Sequence, residues 1–492
     1  FMTLPVLSPA NQWRMGIFAP NSAMTDTVTA DSQDFPDSTT MLNGAAGAGR
    51  ILGPSHEYAV YARRQGPDVA VSFFRPQTAQ PVAVLPGLGN PTSSEFLDVS
   101  VGDLDGMPAA DAELRDEVVV AYAQHAVGNP LPVTVAVLDF AGASEDAPTP
   151  TAVTTAAGAG TLDAGSIATG NVLHGDGGLD SAVGDYDGDG VKEIMVAYIS
   201  AAKAVTVDVF RYTVTNGSGG VQRTLARAGS TVLDIPQPIA NISFYLHATL
   251  SLVMADLDGD NMAEAALAAT VTGAFRPPQE WASSPLLFTL EVTGANPAAI
   301  RVAHSTYLWT ETNLDTTYYG AIQLAPGLFK VDPAHGWNLN RRQLALAYYS
   351  PRSNNGMPPT VNINTVVIGS DLTISVNSAA WASFGISNAM TRFALGAGGY
   401  AGATSSDNPY WYSNLTIWDG KGVTHYYLKT REDSLTLVGP PLTWTTREFP
   451  GYGDRLPLIP IDSDGDTVYL GAPVHLVIEN VVSTDFILEE PP

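Results

Sequence analysis

Short runs of alternating apolar and polar residues recur along the chain, and they predict β-strands. Two examples are VTVAVLDF (133–140) and AVTVDVFRYTV (204–214). Strict alternation over such lengths is typical of strands, and no long segment shows the 3.6-residue period of a helix. The 46 glycines and 35 prolines have no collagen-like period and are typical of many short strands joined by turns. The pattern therefore predicts an all-β fold.

An aspartate-rich loop precedes several of these strands and repeats along the chain. Three copies are VGDYDGDGVKEIMVAY (183–198), VMADLDGDNMAEAALAA (253–269) and VGDLDGMPAADAELRDEVVVAY (101–122), and the last has an insertion. A fourth copy is LIPIDSDGDTVYLGAPV (458–474), and weaker echoes occur at 57–74, 329–349 and 392–403. From Asp103 to Asp462 is 359 residues over five intervals, so the repeat is about 72 residues long.

This period predicts a single seven-bladed β-propeller with Asp-rich calcium loops in several blades. Repeated units of several short strands are typical of propellers, because one blade buries its faces only against its neighbours. Two unrelated β-sandwiches would not explain a repeated loop before a repeated strand. Approximate repeats are expected at 1–80, 81–160, 161–235, 236–305, 306–375, 376–440 and 441–492. The chain is also interpreted as a possible fragment of a longer protein, because it begins with Phe1.

The loop residues have the chemistry and spacing of a calcium site. Asp185, Asp187 and Asp189 alternate, so their carboxylates can converge on one hard cation. Gly188 and Gly190 permit the sharp turn. The backbone carbonyl of Val191 and the carboxylate of Glu193 are expected to complete the ligand set. An EF-hand would place its glutamate at position 12 and continue into a helix, whereas here the chain continues as a strand. The alternative is that Asp and Gly simply form good turns.

The other copies predict further calcium sites, three to four in total. The copy at 253–269 has the full set of acids. The copy at 101–122 has an insertion, which leaves Asp111 as a guess for its third acid. The fourth copy has Leu470 where the closing acid is needed, and the copy at 332 has Ala334 and Gly336 in place of acids, so no metal is expected there. The expected ligands are Asp256, Asp258, Asp260, Met262 and Glu264; Asp103, Asp105 and Glu117; and Asp462, Asp464 and Asp466.

The segments GDYDGDGVKEIMVAY and ADLDGDNMAEAALAA resemble the FG-GAP (VCBS-type) repeats of integrin α-subunit propellers and related bacterial and fungal proteins. The resemblance implies a seven-bladed propeller with Ca²⁺ bound in its Asp-rich loops. Known members range from adhesion receptors and fungal lectins to propellers appended to lyases, so the fold does not fix the function. The repeats here are longer than is usual for the family, and three of the seven loops lack the acids.

Composition excludes some classes of function. The formal charge of −26 and the lack of any Lys/Arg run argue against binding to nucleic acid. No apolar run reaches the ~20 residues that a transmembrane helix needs, and no signal peptide is recognisable at the N-terminus. The absence of cysteine excludes disulfides and thiolate chemistry. An extracellular or cell-surface location is expected from the calcium sites and the resemblance.

No catalytic residue is assigned from the sequence. His174 and His247 precede two of the loops and are interpreted as structural or as part of a channel site. Tyr410, Trp411 and Tyr412 form an aromatic group, interpreted either as a glycan- or protein-binding surface or as packing between blades. Sequons at Asn216, Asn241 and Asn414 are glycosylation candidates only in a eukaryotic secretory route.

These features lead to three hypotheses. The first is a binding or adhesion module for a glycan or protein on one propeller face, possibly joined to other domains of a larger protein. The second is a carbohydrate-active enzyme of the lyase or dehydratase type, and the third is a structural component of a surface assembly. A calcium site that opens into a cleft beside His or Tyr would favour the enzyme.

Overall fold

The computed structural model shows an all-β chain. It describes residues 2–7, 13–20, 27–35, 44–52, 58–65, 68–75, 78–85, 96–106, 115–126, 129–144, 147–162, 178–200, 204–218, 220–236, 244–276, 280–294, 297–307, 322–327, 343–350, 360–385, 392–400, 411–418, 422–431, 434–437 and 442–445. Over these ranges the strands form sheets in which each strand is antiparallel to the next one in the chain.

The first two sheets lie in the N-terminal part of the chain. Sheet 1 contains β1 (Met2–Leu7), β2 (Trp13–Pro20) and β3 (Thr27–Phe35). Sheet 2 contains β4 (Gly44–Gly49), β5 (Tyr58–Gln65), β6 (Asp68–Arg75) and β7 (Thr78–Leu85).

The next three sheets carry the aspartate loops of the described residues. Sheet 3 contains β8 (Phe96–Gly102), β9 (Glu117–Ala126), β10 (Asn129–Asp139) and β11 (Ala152–Thr161). Sheet 4 contains β12 (Leu179–Gly184), β13 (Glu193–Ile199), β14 (Val205–Gly217) and β15 (Gly220–Leu233). Sheet 5 contains β16 (Phe244–Ala255), β17 (Glu264–Arg276), β18 (Glu280–Thr293) and β19 (Ala299–Tyr307).

Two further sheets follow. Sheet 6 contains β20 (Ile322–Gly327), β21 (Gln343–Ser350), β22 (Thr360–Ile368) and β23 (Ile374–Gly385). Sheet 7 contains β24 (Arg392–Tyr400), β25 (Trp411–Trp418), β26 (Gly422–Arg431), β27 (Ser434–Leu437) and β28 (Leu442–Thr445), the last also paired with β26.

Burial within each sheet follows the position of the strand. All seven residues of β13 are buried, because this strand is covered on both faces by neighbouring sheets. The fourth strand β11 instead alternates between partly buried and exposed residues, as expected for a strand with one face towards solvent. The apolar run of β13 and the small alternating side chains of β11 thus match their places in the sheet.

The core is divided into apolar layers between neighbouring sheets. Phe73 of sheet 2 packs against Phe140 beyond β10 of sheet 3, with ring centroids 4.8 Å apart. Val207 of sheet 4 and Leu267 of sheet 5 belong to another layer. Because every such layer is shared by two sheets, each sheet is stabilised by its neighbours, as in a β-propeller. The predicted all-β propeller arrangement is therefore confirmed.

Hydrogen bonds between the first strands of successive sheets run along this arrangement. In each of these hydrogen bonds, a polar side chain on the first strand of one sheet accepts from a backbone N–H on the first strand of the next sheet. The pairs are Asp98 Oδ2 with Ser181 N at 2.8 Å, Asp180 Oδ2 with Leu252 N at 2.6 Å, Ser251 Oγ with Leu324 N at 2.9 Å and Gln323 Oε1 with Leu395 N at 2.6 Å. In sheets 3 to 5 the acceptor lies five residues before the first aspartate of the loop, a periodicity that the loop motif alone does not include.

The predicted count of seven similar blades is wrong. The regular four-stranded blade occurs five times among the described residues, in sheets 2 to 6, whereas sheet 1 has three strands and sheet 7 has five. Moreover, the segment expected as one repeat, 1–80, contains strands of both sheet 1 and sheet 2. The repeat period followed the aspartate loops, but the number of strands in a sheet depends on hydrogen-bond partners that the period does not specify.

Within the described part of the chain, no helix is long enough and apolar enough to span a membrane.

Candidate metal centre

The three aspartate loops within the described residues each join the first two strands of a sheet. They connect β8 to β9, β12 to β13 and β16 to β17, and each second strand begins at the closing glutamate. The paired strands are antiparallel, so each loop closes a hairpin. The prediction of a loop on a β-hairpin rather than an EF-hand is confirmed.

The closing glutamate is held in the same way in all three loops. Its Oε2 accepts a hydrogen bond from the N–H of the residue after the first aspartate. The distances are 2.7 Å from Leu104 N to Glu117, 3.3 Å from Tyr186 N to Glu193 and 2.9 Å from Leu257 N to Glu264. The donor residue is buried in each case, so its apolar side chain anchors the loop in the core and fixes the glutamate.

The first aspartate organises the turn. Its Oδ1 accepts from the glycine three residues later, with distances of 3.0 Å for Gly106 to Asp103, 2.7 Å for Gly188 to Asp185 and 2.6 Å for Gly259 to Asp256. Gly190 has a φ of 87°, and Asn261 takes the same place in the next loop with a φ of 71°. Asparagine tolerates this left-handed conformation better than most residues, which explains how the loop keeps its turn without a second glycine.

Each loop gathers three carboxylates. Within each group one oxygen per residue lies within 4.8 Å of the others. The groups are Asp103, Asp105 and Glu117; Asp185, Asp187 and Glu193; and Asp256, Asp258 and Asp260. Oxygens that share one Ca²⁺ at about 2.4 Å lie at most about 4.8 Å apart, so the spacing and the hard oxygen donors fit this ion.

Some predicted ligands lie outside these groups. Asp189 and Glu264 are not members, although both belong to the loops that hold the groups. The backbone N–H of Val191 donates to Asp189 at 2.9 Å, and that of Met262 donates to Asp260 at 2.8 Å. The backbone carbonyls of Val191 and Met262 stay predicted ligands. Asp111 lies outside the described residues.

Burial disfavours the charged form of the closing glutamates. Burial, followed by the charge of Asp105, raises the pKa of Glu117 to about 9. Burial also raises the pKa of Glu264 to about 7, with further contributions from Asp258 and Asp260. The pKa of Glu193 is raised to about 7, mainly by burial, although Arg211 lowers it. A bound cation would favour the ionised form of all three carboxylates.

The loops are also linked to one another. The residue before each closing glutamate donates its N–H to a carbonyl in the preceding sheet, at the end of the first strand. These bonds join Asp116 to Arg50 at 3.1 Å, Lys192 to Asp103 at 2.9 Å and Ala263 to Asp185 at 2.7 Å. The two later bonds connect one aspartate loop directly to the next, so all three lie along one face of the arrangement.

Sequence reasoning missed Arg211, which lies at the 185–193 loop. Its Nη2 is 2.5 Å from Glu193 Oε1 and 3.6 Å from Asp189 Oδ2, and it also donates to Asp187. Arg211 follows Glu193 by 18 residues, within the strand pattern VFRYTV. The register of β13 and β14 was needed to place it, so no spacing in the loop motif would have identified it.

A cleft of about 550 Å³ opens beside the 256–264 loop. Its walls come from this loop, from Tyr186 and Asp187 of the preceding loop, and from the turns after β18 and β22. The lining includes one arginine, Arg301, and six carboxylates: Asp187, Asp258, Asp260, Glu264, Glu291 and Asp371. Tyr186 donates to the carbonyl of Gly294 at 3.4 Å, and burial raises its pKa to about 12. Its hydroxyl therefore stays protonated at neutral pH.

The remaining predicted residues are distributed as follows. Asp462, Asp464, Asp466, Tyr410, Asn241 and His174 lie outside the described residues. Trp411 and Tyr412 begin strand β25, and Asn414 lies in the same strand. His247 lies in β16. Asn216 is exposed at the end of β14, where it pairs with Val221 in a hairpin.

The degraded copy near 332 has a described closing position. Gln343 pairs with Gly327 as Glu193 pairs with Gly184. Gln343 is fully buried, and its Oε1 accepts from Ile368 N at 2.6 Å. A neutral amide thus stands where the three aspartate loops have a carboxylate, and the absence of metal at this copy stays a prediction.

Comparison with known proteins adds little. No protein-family model matches the chain, and no curated protein matches it. Among solved structures, the crystal structure of a mutant of AofleA from Arthrobotrys oligospora aligns with a TM-score of 0.36 and 9% identity. The alignment covers 92% of this chain and 99% of that chain. We transfer no property of that protein to this chain, because the similarity is too low.

Proposed function

We propose that this chain is a calcium-stabilised binding module that acts outside the cell and recognises a glycan in the cleft beside the 256–264 loop. The observation that carries the proposal is the position of a carboxylate cluster suited to Ca²⁺ in the wall of a cleft of about 550 Å³. Pockets for small ligands typically have volumes of ~300–1,000 Å³.

The chemistry of the lining favours a hydroxyl-rich ligand. Sugar hydroxyls donate hydrogen bonds to carboxylates, and their oxygens are suitable ligands for Ca²⁺. An anionic ligand would meet six carboxylates and one arginine, and that field would repel it. A neutral glycan avoids this repulsion.

The lyase or dehydratase alternative stays open, because the candidate calcium cluster faces a cleft that Tyr186 also lines. Such an enzyme needs a base within reach of the substrate. The described lining includes no histidine, and Tyr186 has a pKa of about 12 because of burial and the neighbouring Glu193. Glu264, whose pKa is raised by burial to about 7, is a carboxylate of the lining with the chemistry of a base, so the enzyme stays the second candidate function.

An extracellular role follows from the proposed ion. Calcium loops of modest affinity need millimolar calcium to stay occupied, and this concentration occurs outside the cell. The ion would have two roles, since it would hold the loops together and also present a coordination position to a ligand in the cleft.

A glycan array probed in 2 mM calcium (about the extracellular level) and again in EGTA tests the proposal. We expect binding to neutral glycans that EGTA abolishes. Asp371 lies in the cleft wall away from the aspartate loops. Asp371→Asn should lower the affinity for the recognised glycan about tenfold, as expected for one lost charge-assisted hydrogen bond.

Asp234→Asn makes the same chemical change at an exposed position that does not line the cleft, and it should bind like the unmodified chain. Calcium-independent glycan binding, or equal effects of the two variants, would contradict the proposed site. Binding to a protein partner without any glycan would contradict the ligand class.

A further inference from the structure

The 185–193 loop differs from the other two in the charge opposite its closing glutamate. The guanidinium of Arg211 contacts three of the four acids predicted to bind calcium there: Asp187, Asp189 and Glu193. Glu193 is only 1% exposed, so its contact with the partly buried Arg211 at 2.5 Å pairs a buried carboxylate with a cation. Buried carboxylates are stable when a cation pairs with them.

The backbone fixes this position of Arg211. Strands β13 and β14 pair with Ile194 opposite Phe210, so the next step of the antiparallel ladder places Glu193 opposite Arg211. Side chains at such facing positions are close neighbours on one side of a sheet. The contact therefore follows from the strand register and does not depend on a chance rotamer of a long side chain.

In sheets 3 and 5, the residue opposite the closing glutamate is an acid. Val118 pairs with Leu138 in sheet 3, so Glu117 lies opposite Asp139. Ala265 pairs with Leu290 in sheet 5, so Glu264 lies opposite Glu291. The position opposite the closing glutamate thus carries a positive charge in sheet 4 and a negative charge in sheets 3 and 5.

Those two acids have arginine partners of their own. Arg223 binds Asp139, and Arg301 binds Glu291. Over the residues that the structure describes, Arg223 forms no ion pair with an acid of the 103–117 loop, and Arg301 forms none with an acid of the 256–264 loop. At the position opposite the closing glutamate, these two loops therefore have no counterpart of Arg211.

We propose that Arg211 takes the place of a calcium ion in the 185–193 loop, so that this loop folds without metal while the 103–117 and 256–264 loops bind calcium. A loop with the complete acidic motif is thus one that does not require the ion. The comparison with the other two loops rests on the calcium binding proposed above, whereas the role of Arg211 is tested separately.

The test counts bound calcium per chain by metal analysis after equilibration with calcium, and compares single variants. Asp105→Asn and Asp258→Asn should each lower the count by one. Asp187→Asn makes the same change in the arginine-paired loop and should leave the count unchanged. A loss of one ion in Asp187→Asn would overturn the proposal, because it would show that the loop holds calcium beside Arg211.

Removing the arginine provides the converse test. Arg211→Gln, purified in calcium, should gain one bound ion per chain, and its melting temperature should become more sensitive to EGTA. Arg227→Gln is the control, since this arginine is exposed in strand β15 of the same sheet and does not line the cleft. An unchanged count in a folded Arg211→Gln would overturn the proposal.

If Arg211→Gln does not fold even in calcium, the number of calcium ions bound by the Asp187→Asn variant still decides whether the 185–193 loop holds calcium. The two proposals also fail separately. No loss of ions in Asp105→Asn and Asp258→Asn would contradict calcium binding by those loops. In that case a gain of one ion in Arg211→Gln would still support the role of Arg211, and no gain would overturn it.

Discussion

Asp180 of strand β12 accepts a hydrogen bond at 2.6 Å from the backbone N–H of Leu252 in strand β16 of the next sheet. Asp180 is buried, and its other oxygen accepts from Ser181 N at 3.0 Å. The same type of bond joins other successive sheets, through Asp98, Ser251 and Gln323. These side chains tie each first strand to the next without any metal.

Replacing Asp180 with alanine should destabilise the fold by about 1–3 kcal/mol, because the buried N–H of Leu252 would lose its acceptor. Asp180→Asn keeps an oxygen in the same place and should cost clearly less. Chemical denaturation of the two variants measures the difference. Equal losses would show that the charge of Asp180, and not its role as acceptor, supports the sheet interface.

Calcium removal should lower the melting temperature. Without the ion, the carboxylates of the 103–117 and 256–264 loops repel one another and the loops loosen. A site that is occupied at 100 times its dissociation constant contributes about 2.7 kcal/mol to the free energy of unfolding. Thermal melts in calcium and in EGTA measure this contribution, and magnesium in place of calcium is the control. No shift would mean that the acidic loops act only as turns.

Tyr198→Phe should destabilise the interface between sheets 3 and 4. The Tyr198 hydroxyl donates to Asp208 Oδ2 at 2.9 Å and accepts from Gly160 N at 2.7 Å. Loss of this hydroxyl leaves the Gly160 N–H without this acceptor. Among the described residues, Asp208 Oδ2 then accepts only from Ala159 N, at 2.8 Å. We expect a cost of about 1–3 kcal/mol in chemical denaturation.

The matched control is Tyr186→Phe. Its hydroxyl makes a single long contact of 3.4 Å to Gly294, so the loss should be well below that of Tyr198→Phe. A larger loss at Tyr186 would contradict the importance assigned to the bonds of Tyr198.

Gly229→Ala should also destabilise the chain, because the space beside Gly229 is occupied. A Cβ at this position would lie 2.2 Å from the carbonyl oxygen of Ala298 in sheet 5. The neighbouring backbone already joins the two sheets, through Ala298 N and Ala228 O at 2.9 Å. Backbone would have to shift, at a cost of about 1–3 kcal/mol.

Gly385→Ala provides the comparison, since within the described part of the chain no atom beyond its chain neighbours lies within 4 Å of a Cβ there. Its melting temperature should stay close to that of the unmodified chain. Similar losses in both variants would show that backbone conformation, and not the contact with Ala298, makes Gly229 necessary.

The sequence by itself determined the strands, the hairpin loops and the acids that meet in them. These features depend on local chemistry: alternation sets the face of a strand, and aspartate and glycine at fixed spacing specify the turn. Asp185, Asp187 and Glu193 were therefore identified as neighbours before any fold was known, and the strand that begins at Glu193 was expected.

Only the tertiary structure decided which strands share a sheet, and therefore which charge faces each loop. Arg211 reaches Glu193 through the register of two strands, whereas the same register places Asp139 and Glu291 at the other two loops. The cleft beside Asp258 likewise needs the turns of two sheets. Among the described residues the regular four-stranded blades number five, not seven, because strand pairing, not the loop period, assigns strands to sheets. Contacts between distant segments depend on hydrogen-bond partners and packing that a local pattern does not contain.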